Sequence, residues 1–113
     1  MLTVFRSEGY DAIIIMPMDG NLVVPIAEEI FNDGIPTIIV NRRIASENYT
    51  ALITGDNYGG GTSAARFIGE TLDGAGNIVI LRSYIGTPID LDRNNGFMDT
   101  LSREFPGINV LSQ

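Results

Sequence analysis

Residues 34–43 constrain the fold more than any other stretch, because they pass without a break from apolar to polar residues. The β-branched run at 37–40 carries no charge, which is typical of a strand buried on both faces of a parallel sheet. Asn41, Arg42 and Arg43 follow it directly. Open α/β sheets bind ligands at the carboxyl ends of their strands, so these residues form a candidate site. The alternative is that they simply begin a solvated loop.

The composition allows one small folded domain and excludes several kinds of site. The 113 residues are 44% hydrophobic, which is enough to build a core. With a net charge of −7 and one adjacent arginine pair, a nucleic-acid partner is not expected. The absence of Cys and His excludes disulfides, thiolate metal sites and histidine-dependent hydrolase triads. We therefore expect no metal site built on Cys or His and no catalysis that depends on a histidine base.

The amino-terminal residues resemble the last turns of an amphipathic helix, with Gly9 as its stop. A chain that begins inside a helix is expected to be a piece of a longer protein. No signal peptide is recognisable at its start, and no apolar run approaches the roughly 20 residues that cross a membrane.

Apolar patterns alternate between those of strands and those of helices along the rest of the chain. Strands are predicted at residues 12–16, 37–40, 49–54, 77–81 and 108–111, with helices over about 22–32, 62–72 and 89–104. Asp19 and Asn21 are N-cap candidates for the first of these helices. Helical spacing predicts that the following residues face inward: Leu22, Val23, Ile26, Ala27, Ile30, Phe31, Ala64, Ala65, Phe67, Ile68, Leu72, Leu91, Phe97, Met98 and Leu101. Short connections predict parallel βαβ units.

The two halves of the chain resemble each other weakly. Each contains a strand, a helix, a Gly-Ile joint and a second strand, with the joints at Gly34-Ile35 and Gly107-Ile108. This pattern favours two related α/β lobes that meet near residues 54–57, rather than one sheet.

Residues 55–62 nearly match the phosphate-binding pattern G-x-x-x-x-G-K-[ST], but Gly61 stands where that pattern has lysine. Without the cation, the loop lacks its contact to the terminal phosphates. The favoured interpretation is a glycine-rich turn that lets a helix pack closely on the chain before it. Further on, Arg93 is unusual so near the predicted start of a helix. It either forms an ion pair with Asp90 or Asp92 on the surface, or points into a cleft.

Several of these motifs together resemble those of the type 1 periplasmic binding proteins of the ribose-binding kind. They are residues 12–17, Gly34-Ile35-Pro36, Val40-Asn41-Arg42, Gly55-Asp56-Asn57, and Arg93 with Gly96-Phe97. The resemblance implies flavodoxin-like parallel sheets flanked by helices, in parts of two lobes that close on a sugar. Residues 1–55 would be the second half of the first lobe, and 56–113 the first half of the second.

The resemblance also implies roles for particular residues. Asn41 and Arg42 would bind sugar hydroxyls and the ring oxygen, and Arg93 would contact the same ligand from the second lobe. Asp56 and Asn57 would have hinge and capping roles. The family usually has aspartate at the position of Asn41, and a carboxamide both donates and accepts hydrogen bonds where a carboxylate only accepts. The identity of the sugar therefore stays open.

The implied function is capture of a monosaccharide, outside the cytoplasm, for delivery to an ABC-type permease or a sensor, with no metal, no cofactor and no catalysis. One alternative is the sugar-sensing core of a LacI-type transcription regulator, and another is a nucleotide- or flavin-binding α/β enzyme domain. The family's other ligand residues lie outside this stretch, so the 113-residue chain is expected to bind sugar weakly or not at all. Its unpaired strand edges are expected to drive dimerisation or domain swapping.

Overall fold

The computed structural model describes residues 2–113, and the chain divides into two compact units, one that ends at Gly55 and one that comprises Asp56–Gln113. Each unit has its own sheet and its own apolar core. All strand pairs are parallel in the part of the chain that the structure describes. The predicted α/β class, with parallel sheets flanked by helices, is confirmed.

The buried core of the first unit consists mainly of isoleucine side chains. In chain order it contains α1 (Leu2–Ser7), β1 (Ile13–Ile15), α2 (Val24–Asn32), β2 (Thr37–Val40) and β3 (Ala51–Ile53), and the sheet order is β1-β2-β3. Ile13, Ile15 and Ile39 are buried on the sheet and belong to the same core as Ile30 of α2. Fully burying one such side chain contributes about 1.5–3 kcal/mol. The packing of α2 on the sheet therefore accounts for much of the stability of this unit.

The start of α2 differs from the prediction. Asp19 does not cap the helix; its Oδ1 accepts hydrogen bonds from the backbone N–H groups of Asn21, at 2.8 Å, and Leu22, at 3.3 Å. The helix begins only at Val24, with Pro25 in its first turn, where a missing N–H costs nothing. Leu22 consequently lies in the preceding turn and is 80% exposed, so its predicted inward orientation is wrong.

The second unit has a smaller core and a closer contact between helices. It contains α3 (Asn57–Thr71), β4 (Ala75–Val79), α4 (Pro88–Glu104) and β5 (Gly107–Ser112), and β4 pairs with β5. Its buried apolar residues are Ala65, Leu101 and Ile108. The buried residues of α3 are Gly61, Ala65 and Gly69, which recur every four residues and so share one face. A face of such small residues lets another helix approach closely.

The small residues explain where the predicted helix faces are wrong. Phe67 of α3 is 68% exposed and Ala64 is also exposed, because the helix turns its glycine face inward rather than its bulkiest apolar residues. On α4, Leu91 is 44% exposed. Strand β4 begins two residues earlier than predicted, at Ala75, because its partner β5 pairs with it from Gly107 onward. Leu81 then lies beyond the strand and is exposed.

Candidate functional site

Asn41 follows β2 directly and has an unusual backbone conformation. Its φ is +72°, in the left-handed region, which asparagine tolerates better than most residues. Its N–H donates to the carbonyl of Ile53 at 2.8 Å, and its carbonyl accepts from Thr54 Oγ1 at 2.8 Å. Both main-chain groups of Asn41 are therefore tied to the end of β3. The exposed carboxamide is held at the carboxyl edge of the sheet.

Arg42 is partly buried and contacts the loop that follows β1. Its Nη1 donates to the carbonyl of Met18 at 2.6 Å, and its backbone N–H donates to Val40 O at 2.9 Å. Gly20 packs against the same segment, because a Cβ at this position would lie 2.3 Å from the carbonyl oxygen of Arg43. Loop 16–23 thus supports Arg42 through contacts made by its backbone.

Arg93 lies on α4 and contacts the first residue of α3. Its Nε donates to Oδ1 of Asn57 at 3.0 Å. Asp56, which precedes Asn57, is the N-cap of α3, and its Oδ1 accepts from the N–H of Gly59 at 2.8 Å. The structure therefore brings Asn57 and Arg93 together in the second unit. Asn41 and Arg42 belong to the first unit.

Asp90, one of the two carboxylates predicted as surface partners of Arg93, pairs with Arg82 instead. It accepts from Arg82 Nη2 at 2.5 Å and Nε at 3.1 Å, and from the N–H of Gly86 at 2.9 Å. The hydrogen bonds from Arg82 and then from Gly86 hold the pKa of Asp90 below its ordinary value of 3.8. Its side chain is only 7% exposed. The pair fixes the loop between β4 and α4.

Sequence reasoning missed Arg82, although a signal was present. Arg82 follows the apolar run of β4 much as Arg42 follows that of β2, so the strand-then-arginine pattern occurs in both units. An arginine in this position lies at the carboxyl edge of a parallel sheet, where polar partners collect. In the second unit the partner is a carboxylate, and the charge of Arg82 is thereby neutralised.

Gly61 lies at a close contact between α3 and α4, at the position where a phosphate-binding loop would have lysine. A Cβ here would lie 2.1 Å from the carbonyl oxygen of Arg93, so only glycine fits without a shift. Close packing thus requires the glycine, as predicted, but the predicted glycine-rich turn is wrong: the glycines at 59–61 lie in the first turns of α3, and Gly61 packs against the helix that follows rather than the chain before it.

Three further observations describe the surface of residues 2–113. No group of three or more acidic, His or Cys side chains is arranged there to hold a metal ion. No helix within this range is long and apolar enough to span a bilayer. A groove of about 460 Å³ between α4 and β5 is lined by residues such as Met98, Leu101 and Val110, and contains none of the predicted ligand residues.

Comparisons with known proteins match nearly the whole chain. The sequence profile described as periplasmic binding protein domain matches residues 2–113. The xylitol-binding protein of Mycolicibacterium smegmatis is 28% identical over 107 residues, which are 95% of this chain and 30% of that protein. The ribose import binding protein of Bacillus subtilis is 28% identical over 90 residues, which are 80% of this chain and 30% of that protein. The chain thus spans about 30% of the length of these relatives.

Solved structures agree with the sequence matches. The fructose-binding periplasmic domain of a hybrid two-component system has a TM-score of 0.87 and 40% identity, covering 98% of this chain and 37% of that one. The binding component of an arabinose ABC transporter from Shewanella, solved with L-arabinofuranose, has a TM-score of 0.89 and 26% identity, covering 99% and 38%. The family predicted from the motifs is therefore confirmed, and the chain belongs to the type 1 periplasmic binding proteins.

Proposed function

We propose that the protein binds a monosaccharide without transforming it, and that Asn41, Arg42 and Arg93 contact the ligand. The observation that carries the proposal is the position of Arg42 and Asn41 at the carboxyl end of β2, in a chain that matches this family over residues 2–113. The relatives and structures above are named for xylitol, ribose, fructose and arabinofuranose, which are all polyhydroxylated.

The chemistry of the three side chains supports a sugar. A guanidinium presents several donors in a rigid plane, and a carboxamide presents both donors and an acceptor. Neighbouring sugar hydroxyls offer paired acceptors and donors at matching spacing, so bidentate contacts are available. The carbonyl of Met18 restrains the Arg42 guanidinium and Asn57 restrains that of Arg93, so little side-chain entropy is left to lose on binding.

The test is isothermal titration of the full-length protein with xylitol, ribose, fructose and L-arabinose. Arg42→Ala and Arg93→Ala should each weaken binding by about 2 kcal/mol, close to 30-fold in Kd, because buried ligand hydroxyls lose a charged partner. Arg66→Ala is the matched control, since Arg66 is half-exposed and pairs with Glu104 on the surface. Unchanged affinity in both Arg42→Ala and Arg93→Ala would refute the site.

We further propose that the boundary after Gly55 separates the second half of one lobe from the first half of another, with the chain crossing at residues 54–57. Asp56 caps α3 at this crossing and Asn57 is its first residue, which supports hinge and capping roles for the pair. On this proposal the remaining ligand contacts come from other parts of a longer protein. The isolated 113-residue chain should then show no micromolar sugar binding, and a titration that found it would contradict the fragment assignment.

The isolated chain should also self-associate. Strands β1 and β3 each have one neighbour within residues 2–113, and β4 and β5 pair only with each other there. Unpaired strand edges favour dimerisation or swapping between copies. Light scattering that found a stable monomer at micromolar concentration would contradict this expectation.

Whether the bound sugar is handed to an ABC-type permease or to a sensor is a further part of the proposal. The ribose import binding protein supports the permease, and the domain of a hybrid two-component system supports the sensor. The intact mass of the natural protein in periplasmic and membrane fractions separates them. An exported protein about three times this length indicates transport, and a membrane protein with a kinase region indicates sensing. A cytoplasmic protein with an upstream helix-turn-helix would indicate a transcription regulator and contradict both.

A further inference from the structure

Helix α3 contacts Arg93 at two points on one face. Asn57 and Gly61 are four residues apart, so they are neighbours on the same side of the helix. Oδ1 of Asn57 accepts from Arg93 Nε at 3.0 Å. The main chain of Gly61 lies against that of Arg93, where an added Cβ would be 2.1 Å from the carbonyl oxygen of Arg93. One contact fixes the guanidinium, and the other fixes the main chain.

A second glycine makes the contact between the helices reciprocal. A Cβ on Gly96 of α4 would lie 2.1 Å from the carbonyl oxygen of Tyr58 on α3. Real Cβ atoms essentially never come within 3.0 Å of such a neighbour. The backbones of the two helices therefore touch at Arg93 and again at Gly96, which leaves Arg93 little freedom to shift. Packed interiors transmit rather than absorb small displacements.

We propose that Asn57 and Gly61 are positioning residues for Arg93, which they hold in the orientation that binds sugar. The proposal rests on the function proposed above, in which Arg93 is a ligand contact. Asn57 engages Nε, and within residues 2–113 no hydrogen bond engages Nη1 or Nη2 of Arg93. These two terminal nitrogens, held in one plane, suit two neighbouring hydroxyls of a sugar.

The neutral carboxamide of Asn57 matters as much as its position. An aspartate at 57 would still accept from Nε, but it would form an ion pair and compete with the ligand for the guanidinium. Asn57 orients the cation without cancelling its charge, in contrast to Asp90, which neutralises Arg82 eight residues away. Arg66, Arg82 and Arg103 of the second unit all pair with carboxylates, whereas Arg93 is held by the amide of Asn57 and keeps its charge for a ligand.

The experiment uses the full-length protein and whichever of xylitol, ribose, fructose or L-arabinose binds it most tightly. Asn57→Ala and Gly61→Ala should each raise Kd by about tenfold, the equivalent of one well-placed hydrogen bond. Asn57→Asp should weaken binding at least as much as Asn57→Ala. Gly60→Ala is the matched control, because a Cβ on Gly60 meets no atom within 4 Å, and its Kd should stay within about twofold.

A double-mutant cycle separates positioning from general stability. In an Arg93→Ala background, Asn57→Ala and Gly61→Ala should change Kd by less than about twofold, because the residue through which they act is gone. Equal losses of sugar affinity with and without Arg93 would overturn the proposal, as would unchanged affinity in Asn57→Ala. If Gly61→Ala does not fold, Asn57→Ala still decides the question. If Arg93→Ala leaves Kd unchanged while Arg42→Ala weakens binding, Arg93 is not a ligand contact and the positioning proposal fails, whereas unchanged Kd in both variants refutes the proposed site itself.

Discussion

The two units support their predicted ligand-binding arginines in related ways, but the first uses a backbone carbonyl and the second uses a side chain. In the first unit a loop supplies a backbone carbonyl, that of Met18, and Gly20 lies against the main chain of Arg43. In the second unit a helix supplies a side chain, that of Asn57, and Gly61 lies against the main chain of Arg93. A glycine and an oxygen acceptor thus occur in both. A backbone carbonyl remains after any substitution, whereas a side chain can be removed.

The cores of the two units also differ, in the size of the residues that fill them. Large β-branched side chains fill the space between sheet and helix in the first unit. In the second unit, Gly61 and Gly96 let two helices touch, and Thr100 is wholly buried with its Oγ1 donating to Gly96 O at 2.7 Å. The first core therefore depends on bulk and the second on its absence. Loss of volume should then be the more damaging change in the first unit, and gain of volume the more damaging change in the second.

Loss of side-chain volume in the first unit should lower the free energy of unfolding most. Ile39→Ala removes a side chain that is wholly buried at the centre of β2. The lost burial and the remaining cavity should lower the free energy of unfolding by about 3–4 kcal/mol. Ile14→Ala is the control, because Ile14 is 69% exposed on the neighbouring strand, and it should cost about 1 kcal/mol or less. Urea denaturation followed by circular dichroism measures both, and equal losses would contradict the assigned core.

Gain of volume between the helices of the second unit should lower the free energy of unfolding by a smaller amount. Gly96→Ala places a methyl group 2.1 Å from the carbonyl oxygen of Tyr58, so the helices must separate. Overpacking of this kind should cost about 1–3 kcal/mol. Gly60→Ala, in open space on α3, should instead stabilise the helix by about 0.5–1 kcal/mol, since alanine is the better helix former. Opposite signs for the two glycine-to-alanine changes in the same urea assay would support close contact between the helices at Gly96, and equal signs would contradict it.

The first unit was easier to predict from its sequence, for a physical reason. Strand β2 has the limits that its β-branched residues predict, because a run of such residues is a signal local to the sequence. In the second unit, helix α3 turns glycine inward and leaves Phe67 exposed. Close helix contact depends on two segments far apart in sequence, and hydrophobicity alone gives no reason to expect glycine on a buried face. Likewise, β4 lies two residues nearer the amino terminus than predicted, because it pairs with β5 from Ala75 onward.

The candidate site divides in the same way. Arg42 and Asn41 could be proposed from a strand that ends in polar residues, and the resemblance to a family added Arg93. The bond between Asn57 and Arg93 joins residues 36 positions apart, and nothing local to either indicates it. The pairing of Asp90 with Arg82 rather than Arg93 was equally out of reach, because two arginines lie within helical or loop distance of that carboxylate.

A third prediction concerns the far end of the contact between α3 and α4. Glu104 accepts hydrogen bonds from Arg66 at 2.8 and 2.9 Å and from Arg103 at 3.1 Å, which lowers its pKa from 4.5 to about 2. Because the folded pKa is the lower one, this contribution to stability is complete above about pH 4.5 and is lost as the pH falls toward 2. Acid unfolding followed by circular dichroism should therefore begin at higher pH in Glu104→Gln.

Arg66→Ala is the control for that pair. It should flatten the same part of the pH–stability curve less completely, because Arg103 still donates to Glu104, and the double variant should flatten it no further than Glu104→Gln does. A full-sized pH dependence that remained in Glu104→Gln would assign the acid sensitivity of the second unit to other carboxylates, among which Asp90 is buried.

The smallest expected effect tests the difference between a carbonyl and a side chain as the support of an arginine. Met18→Ala leaves the carbonyl that accepts from Arg42 in place and removes a side chain that is 79% exposed. Stability should change by less than about 0.5 kcal/mol, and sugar affinity of the full-length protein by less than about twofold. Asn57→Ala, which removes the corresponding acceptor in the second unit, should lower sugar affinity about tenfold. A loss of sugar affinity above about fivefold in Met18→Ala would mean that the thioether of Met18 itself contacts the sugar. The first unit, like the second, would then depend on a side chain beside its arginine.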